Sequence, residues 1–495
     1  MVEFMNNQRK MYLSRRAMLQ QAAACSALGA IFKVTEGPAA AQQGGRGPGP
    51  GGPVGGGRGA SNVHYGSINK YSAPSDLKIT DMRVVTMASN FDYTIVRLDT
   101  NQDVYGLGEI RDGANRMTVL SFKNQLIGRN PLDITGILGS IRGGAGHGRT
   151  GGAGYSGIDI CLHDITGKVF GVPIWRLLGD KKRDSSRVYC DTTESPDPKT
   201  YGQRMLARKK LGFTFFKMDI TTNCVSDDGK RPETINEWGS MTDKGLEWAC
   251  EMLQAVRDQV GWRAPLSVDA SSGFLRVPGG PPYMPVQDAI RMARAYEKYD
   301  LAWLEDLFSV SGWFRVQEFK EVRDHTTTKL ATGEDIFGLE EGFKALIDAR
   351  AIDVCHIESG TSGGCRETKR IADYAYERGI NTAIHMAGSP VGSMACAHTA
   401  VTLNSFLAQE CHAVDFLDWW QKITTKPVIV NGYIPVPDTP GLGLELDEAV
   451  IKEHLRYAGY FEPNPEREPN PKRLVEGWPH FDKDGTWTTK RTSDY

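Results

Sequence analysis

Nine cysteines stand singly at 25, 161, 190, 224, 250, 355, 365, 396 and 411, without a Cys-x-x-Cys pair. A disulfide framework and a thiolate zinc site are therefore unsupported, and buried free thiols fit better. Neither sign of charge dominates, since 58 Lys and Arg face 60 Asp and Glu for a net charge of -2. That balance gives no electrostatic reason to expect nucleic acid or an anionic membrane surface. The Ala-rich run from Gln20 to Phe32 falls well short of the roughly 20 apolar residues of a membrane span, so stable insertion is not expected. No Gly-x-Gly-x-x-Gly follows a strand-like run, which leaves a dinucleotide crevice without support. What remains is ordinary globular material, 40% hydrophobic and 24% charged over 495 residues, long enough for two domains. A small molecule is the expected partner.

The first forty residues differ from the rest. Ser14-Arg15-Arg16-Ala17-Met18-Leu19 precedes the weakly apolar run and a small-residue stretch, Ala39-Ala40-Ala41. This resembles a twin-arginine export signal, which implies a periplasmic or exported protein; without it a cytoplasmic location follows. The expected layout is a signal over 1–41 and a Gly/Pro-rich tether over 42–76. An α+β capping unit over 77–185, a barrel over 186–430 and a C-terminal return over 431–495 complete it.

Strand-like alternation at 77–87, 93–99 and 104–110 leads into helical patterns at 118–126, 132–141 and 155–170. His163 in the last of these reads as a packing or capping residue. Beyond residue 186, eight short β-branched and aromatic runs alternate with helical patterns: 187–193, 213–220, 265–271, 301–307, 329–335, 354–359, 381–386 and 405–410. The spacing predicts a (β/α)7β barrel in the α/β class.

Polar side chains stand at the strand ends: Lys217 and Asp219, Asp269, Glu305, Glu334, Glu358, His385 and Glu410. In a parallel barrel these ends share one rim. Crowding that many carboxylates costs several kcal/mol apiece unless a cation compensates them. Hard oxygen donors without cysteine favour Mg²⁺ over Zn²⁺.

With these motifs in place the chain from about 77 to 460 resembles the enolase superfamily, in its mandelate racemase branch. The resemblance implies Asp269 in SVDAS, Glu305 in WLEDL and Glu334 in TGED as Mg²⁺ ligands. It implies Lys217 in KMD as the first lysine of a Lys-x-Lys pair, His385 in AIHM as a base, and Glu358 in HIESGTSGG as its orienting acid. Glu410 in FLAQE matches the eighth-strand glutamate, and TPGLGLELDE the C-terminal segment. The expected chemistry removes a proton α to a carboxylate, with Mg²⁺ stabilising the charge that develops, and Mg²⁺ is also expected to lower the proton affinity of Lys217. The family habit also implies a homo-oligomer.

Two departures tilt the reading. Asp219 replaces the second lysine, and either acts as a base or pairs with Lys217; Glu358 is one methylene longer than the usual aspartate. Losing the second-face lysine favours β-elimination of water from a sugar acid over racemisation. The expected activity is a dehydratase giving a 2-keto-3-deoxy acid, with an epimerase or a silent sugar-binding protein as alternatives. Insertions at 220–243 and 273–285 lie at the rim; Asp227-Asp228-Gly229 reads as a turn and Trp419-Trp420 as core or interface. Arg111, His147 and Arg149 of the cap are expected substrate contacts.

Overall fold

The computed structural model describes residues 76–89, 91–270, 280–309, 312, 314–412 and 417–463, plus two short strand segments at 480–481 and 487–488. The proposed signal, nearly all of the tether and residues 273–279 of the second insertion lie outside these. Among the described residues no helix is long and apolar enough to cross a membrane.

Three strands, β1 (Ile79–Met87), β2 (Tyr93–Thr100) and β3 (Tyr105–Glu109), form an antiparallel meander. Both faces are buried: Val84, Val96 and Leu98 join the cap's own cluster, while Val85, Met87, Tyr93 and Ile95 join the cluster that runs through the barrel. Helix α1 (Ala153–Phe170) lies against β3 and ends at Gly171, whose φ of 69° L side chains rarely adopt. The approach is too close for a side chain, since a methyl on Gly108 would overlap the Gly157 carbonyl oxygen. Buried Asp164 secures the join by accepting from Leu107 N and Leu442 N, each at 2.8 Å. His163 Nδ1 donates to the Asp159 carbonyl, 2.8 Å away, within the same helix. The helix expected over 118–126 is instead two single turns, with the Ser121 hydroxyl bonded back to the Thr118 carbonyl at the break.

The barrel strands are β4 (Ser185–Cys190), β5 (Phe215–Asp219), β6 (Leu266–Asp269), β7 (Trp303–Glu305), β8 (Leu330–Thr332), β9 (Val354–Glu358), β10 (Asn381–His385) and β11 (Gln409–Cys411). All are parallel, each pairs with the next, and β11 closes onto β4. Crossover helices fill the seven gaps: α2 (Pro198–Lys210), α3 (Asp243–Val260), α4 (Val286–Tyr296), α5 (Val316–Asp324), α6 (Lys344–Asp348), α7 (Gly364–Tyr376) and α8 (Pro390–Ala400). Side-chain caps start several of them: Asp197 accepts from Thr200 N, Thr242 from Gly245 N and Ser389 from Val391 N.

The lumen is packed, as a small barrel requires. Tyr189, Phe215, Trp303, Ala331, Val354, Ala383 and Ala408 fill its floor. The chain then returns to the cap. Strand β12 (Tyr433–Pro435) runs antiparallel to β4, Ala88 N donates to the His454 carbonyl and Arg456 N to the Thr86 carbonyl. This is a (β/α)7β barrel with a capping domain built from both ends of the described chain.

Candidate active site

Register places the acids beside one another. Asp219 pairs with Asp269 and Asp269 with Glu305 across β5, β6 and β7, while Glu358 pairs with His385 across β9 and β10. Lys217 sits among them, its Nζ 2.7 Å from Glu305 Oε1, 2.9 Å from Glu410 Oε1 and 3.3 Å from Asp269 Oδ2. Burial works against the ammonium, but Glu305, Glu410 and Asp269 outweigh it and hold its pKa well above the ordinary lysine value. Asp219 is not among its ion-pair partners.

Donor atoms of Asp269, Glu305 and Asp306 converge within 4.8 Å, as do those of Glu305, Glu334 and His356. Glu305 belongs to both groups and so stands between Asp269 and Glu334. Asp306 was not anticipated from the sequence. It takes a left-handed φ of 53°, is buried, accepts from Thr332 Oγ1 at 2.6 Å with Oδ1, and leaves Oδ2 without a hydrogen-bond partner. Burial pushes the carboxyls of Glu305 and Asp306 well above the usual range, and their acidic neighbours add to the effect. A buried carboxylate oxygen with no donor, in a cluster too crowded to ionise fully, fits a hard divalent cation. Asp269, Glu305 and Asp306 make one group that could hold it and Glu305, Glu334 and His356 another, so Asp269 and Glu334 are joined only through Glu305. The donors in both groups are carboxylates and one imidazole, with no thiolate.

On the other side of the rim Glu358 reaches His385 despite its extra methylene. Its Oε2 lies 2.7 Å from His385 Nδ1, and its Oε1 accepts from Gly360 N at 2.6 Å. His385 Nε2 points at Glu334 Oε2, 3.0 Å away, and at Glu410 Oε2, 3.5 Å away. Burial and Arg111 disfavour the imidazolium, yet Glu334 and Glu410 prevail and hold its pKa well above the ordinary histidine value. Glu334 and Glu410 are correspondingly held well below the usual carboxylate range despite their burial, Glu334 by His385 and Arg111, and Glu410 by Lys217 and His385.

Arg111 does not face the cavity. It is fully buried, with Nη1 2.8 Å from Glu358 Oε2 and 2.5 Å from His385 Nδ1, and Nη2 3.0 Å from Glu334 Oε1. The cap thus sends one cation beneath the histidine. Nearby Glu109 accepts from Ser389 N, Ser389 Oγ and Gly392 N at 2.7–2.8 Å, sitting on the first turn of α8. His147 also lies away from the cavity, where its Nδ1 accepts from Phe337 N at 3.1 Å. Arg149 does line the cavity and is held by an ion pair to Asp112.

The cavity above these groups is about 650 Å³, and its wall includes Lys217, Asp219, Asp269, Glu334 and His385. Residues of the first insertion, Asn223, Cys224, Asp227 and Asp228, line it too, and the last two take left-handed turn conformations. Asp219 Oδ1 has no hydrogen-bond partner; burial, then Asp191 and Asp269, push its pKa well above the usual range. Trp420 is buried and donates to the Gly388 carbonyl at 3.0 Å, and Trp419 stacks on His454 at 4.1 Å, so the pair is core. Asp191 and His412 are among the wall residues that the sequence reading missed. Asp191 follows β4 and His412 follows β11.

Residues 202–450 match the model of the enolase C-terminal domain-like family, and residues 72–179 that of the mandelate racemase/muconate lactonizing enzyme N-terminal domain. The chain belongs to this family of the enolase superfamily. It is 32% identical over 389 residues to a D-xylonate dehydratase of Haloferax volcanii, covering 77% of this chain and 89% of that protein. A mandelate racemase/muconate lactonizing enzyme-like protein from Rubrobacter xylanophilus superposes with a TM-score of 0.69 at 29% identity, over 78% of this chain and 99% of the other. An enolase from Pantoea ananatis with bound D-gluconate and Mg superposes at 0.64 and 25% identity, over 79% and 96% of the two chains. With dehydratases among its relatives, the chain is an enzyme of the hydro-lyase kind.

Proposed function

We propose that this protein is a Mg²⁺-dependent sugar-acid dehydratase, which removes the proton α to the carboxylate and expels the β-hydroxyl to leave a 2-keto-3-deoxy acid. The observation that carries the reading is the split rim, with Lys217 and the carboxylates of Asp269 and Glu305 on one side, the His385–Glu358 pair on the other, and Glu334 between them. The dehydratase relatives and the gluconate-bound neighbour support it.

Asp269, Glu305 and Glu334 would hold the cation, which when bound supplies positive charge against the carboxylate of the substrate. Lys217 adds a fixed ammonium beside that carboxylate. His385 would present Nε2 as the acceptor for the α-proton, while Glu358 on Nδ1 sets the tautomer and the ring angle. Arg111 holds Glu358 and Glu334 in place from below. The cap loop residues Phe91 and Arg149 and the first insertion line the space for the polyhydroxy chain.

The test is a panel of aldonic and aldaric acids with Mg²⁺ in D₂O. Keto-acid formation with loss of water is expected. Deuterium at Cα of an inverted product would point to an epimerase instead, and neither reaction with Mg²⁺ bound would point to a silent binder. We also propose export through residues 1–41, checked by fractionating cells that carry R15K/R16K, and homo-oligomerisation, checked by light scattering.

A further inference from the structure

Two histidine–carboxylate pairs face one cavity, and the reaction as written uses only one. His412 lies with Nδ1 3.4 Å from Asp191 Oδ2 and Nε2 3.0 Å from Glu410 Oε1. Barrel closure makes this pair: Asp191 N donates to the Cys411 carbonyl, where β4 meets β11. Asp191 spends Oδ1 on Thr192 N at 2.8 Å, while its Oδ2 stands at ion-pair distance from the ring. The rings of His412 and His385 are 5.9 Å apart, and both line the cavity. A hydrogen-bond reach of about 3 Å from each lets the two rings address a C–H and an O–H on adjacent carbons.

We propose that His412, positioned by Asp191, is the general acid that protonates the departing β-hydroxyl while His385 takes the α-proton. The inference rests on the dehydratase reading and deepens it. His385 Nε2 accepts the proton from Cα and the C–H electron pair moves onto the substrate carboxylate as an enediolate; that pair then returns to form the Cα–Cβ double bond as the Cβ–O bond breaks. The oxygen keeps that bonding pair and takes a proton from His412, leaving as water. The enol then loses its hydroxyl proton and gains one at Cβ from solvent, giving the keto acid. His385 ends with one proton more and His412 with one fewer, and no co-reactant is consumed. Glu410 stands between them, Oε1 facing His412 Nε2 and Oε2 facing His385 Nε2, a path by which the proton returns for the next cycle.

The test compares wild type, H412Q, D191N and H385N with Mg²⁺ in D₂O, on the acid that wild type dehydrates fastest. Keto acid and deuterium at Cα of the recovered substrate are both followed by NMR. H412Q should lose dehydration about 100-fold or more, yet wash deuterium into Cα at a rate near wild-type turnover. D191N should show the same split more weakly, in kcat and not in KM, and H385N should lose both reactions. An analogue with fluoride at Cβ, whose leaving group needs less help from an acid, should recover elimination in H412Q. Dehydration by H412Q within threefold of wild type would overturn the proposal. So would equal loss of exchange and dehydration in H412Q with circular dichroism and Mg²⁺ affinity unchanged. Should H412Q not fold, D191N decides, and parallel losses there refute the assignment. A wild type that neither dehydrates nor exchanges any acid would sink the dehydratase reading itself, whereas normal dehydration by H412Q sinks only the acid.

Discussion

Glu109 allows a quantitative check on how the cap is fastened to the barrel. Its carboxylate is buried and receives three hydrogen bonds from Ser389 and Gly392, yet burial outweighs these donors and raises its pKa from 4.5 to about 7. A raised acid in the folded state means that folding takes up a proton. The stabilisation is complete below the unfolded pKa of 4.5 and is lost as pH rises through about 7. At about 1.4 kcal/mol per unit, the whole window is worth about 3 kcal/mol, and the part between about pH 5 and about pH 8 is worth about 2.5 kcal/mol. Glu109→Ala removes this dependence and strands the Ser389 and Gly392 N–H groups, each a loss of about 1–3 kcal/mol. The variant should therefore be destabilised at both pH values, but by about 2.5 kcal/mol less at the higher one. Urea unfolding of both proteins at both pH values gives the double difference, in which the titrations of the acid-rich site cancel. An equal destabilisation at the two pH values would refute the shifted carboxyl. No destabilisation at either would refute its role as a fastening.

Other expectations follow from the same geometry. His385→Asn should lower turnover by about 10³-fold or more, while Mg²⁺ affinity by calorimetry stays within a few-fold of wild type. Because burial raises the pKa of Glu305 and Asp306, Mg²⁺ binding should release protons and tighten as pH rises, visible as a buffer-dependent heat; a heat independent of buffer ionisation would count against the site. Gly108→Ala forces a methyl into the Gly157 carbonyl of α1 and should cost about 3 kcal/mol in chemical unfolding, or prevent folding. Burial lowers the pKa of His398 to about 4, where Nδ1 accepts from Trp175 N and Nε2 donates to the Leu442 carbonyl. A lowered base supports folding above its unfolded pKa and loses that support as pH falls toward 4, so His398→Gln should flatten the acid side of the stability profile.

The strands and their polar ends were legible because most barrel strands are short apolar runs closed by a polar side chain, and the period of the runs sets the barrel. The Glu358–His385 contact could be anticipated because those residues end neighbouring strands only 27 positions apart. Asp191 and His412 could not, since closing β11 onto β4 joins the two ends of the barrel, and no local pattern marks that pairing. Asp306 stood in plain sight in WLEDL, but its left-handed φ, which turns it inward, has no sequence signature there. Arg111 and His147 looked like substrate contacts because the cap loops face the barrel. Only the packing shows that the first is consumed by three partners beneath the rim and the second by the Phe337 amide.

Arg111 also bears on how such proteins could be recombined. Its guanidinium neutralises acids that belong to the other domain, so the two halves are not interchangeable parts. A chimera that grafts a relative's cap onto this barrel must bring a cation to the same depth. Without one it would leave Glu334 and Glu358 to repel each other under a histidine that has lost its anchor.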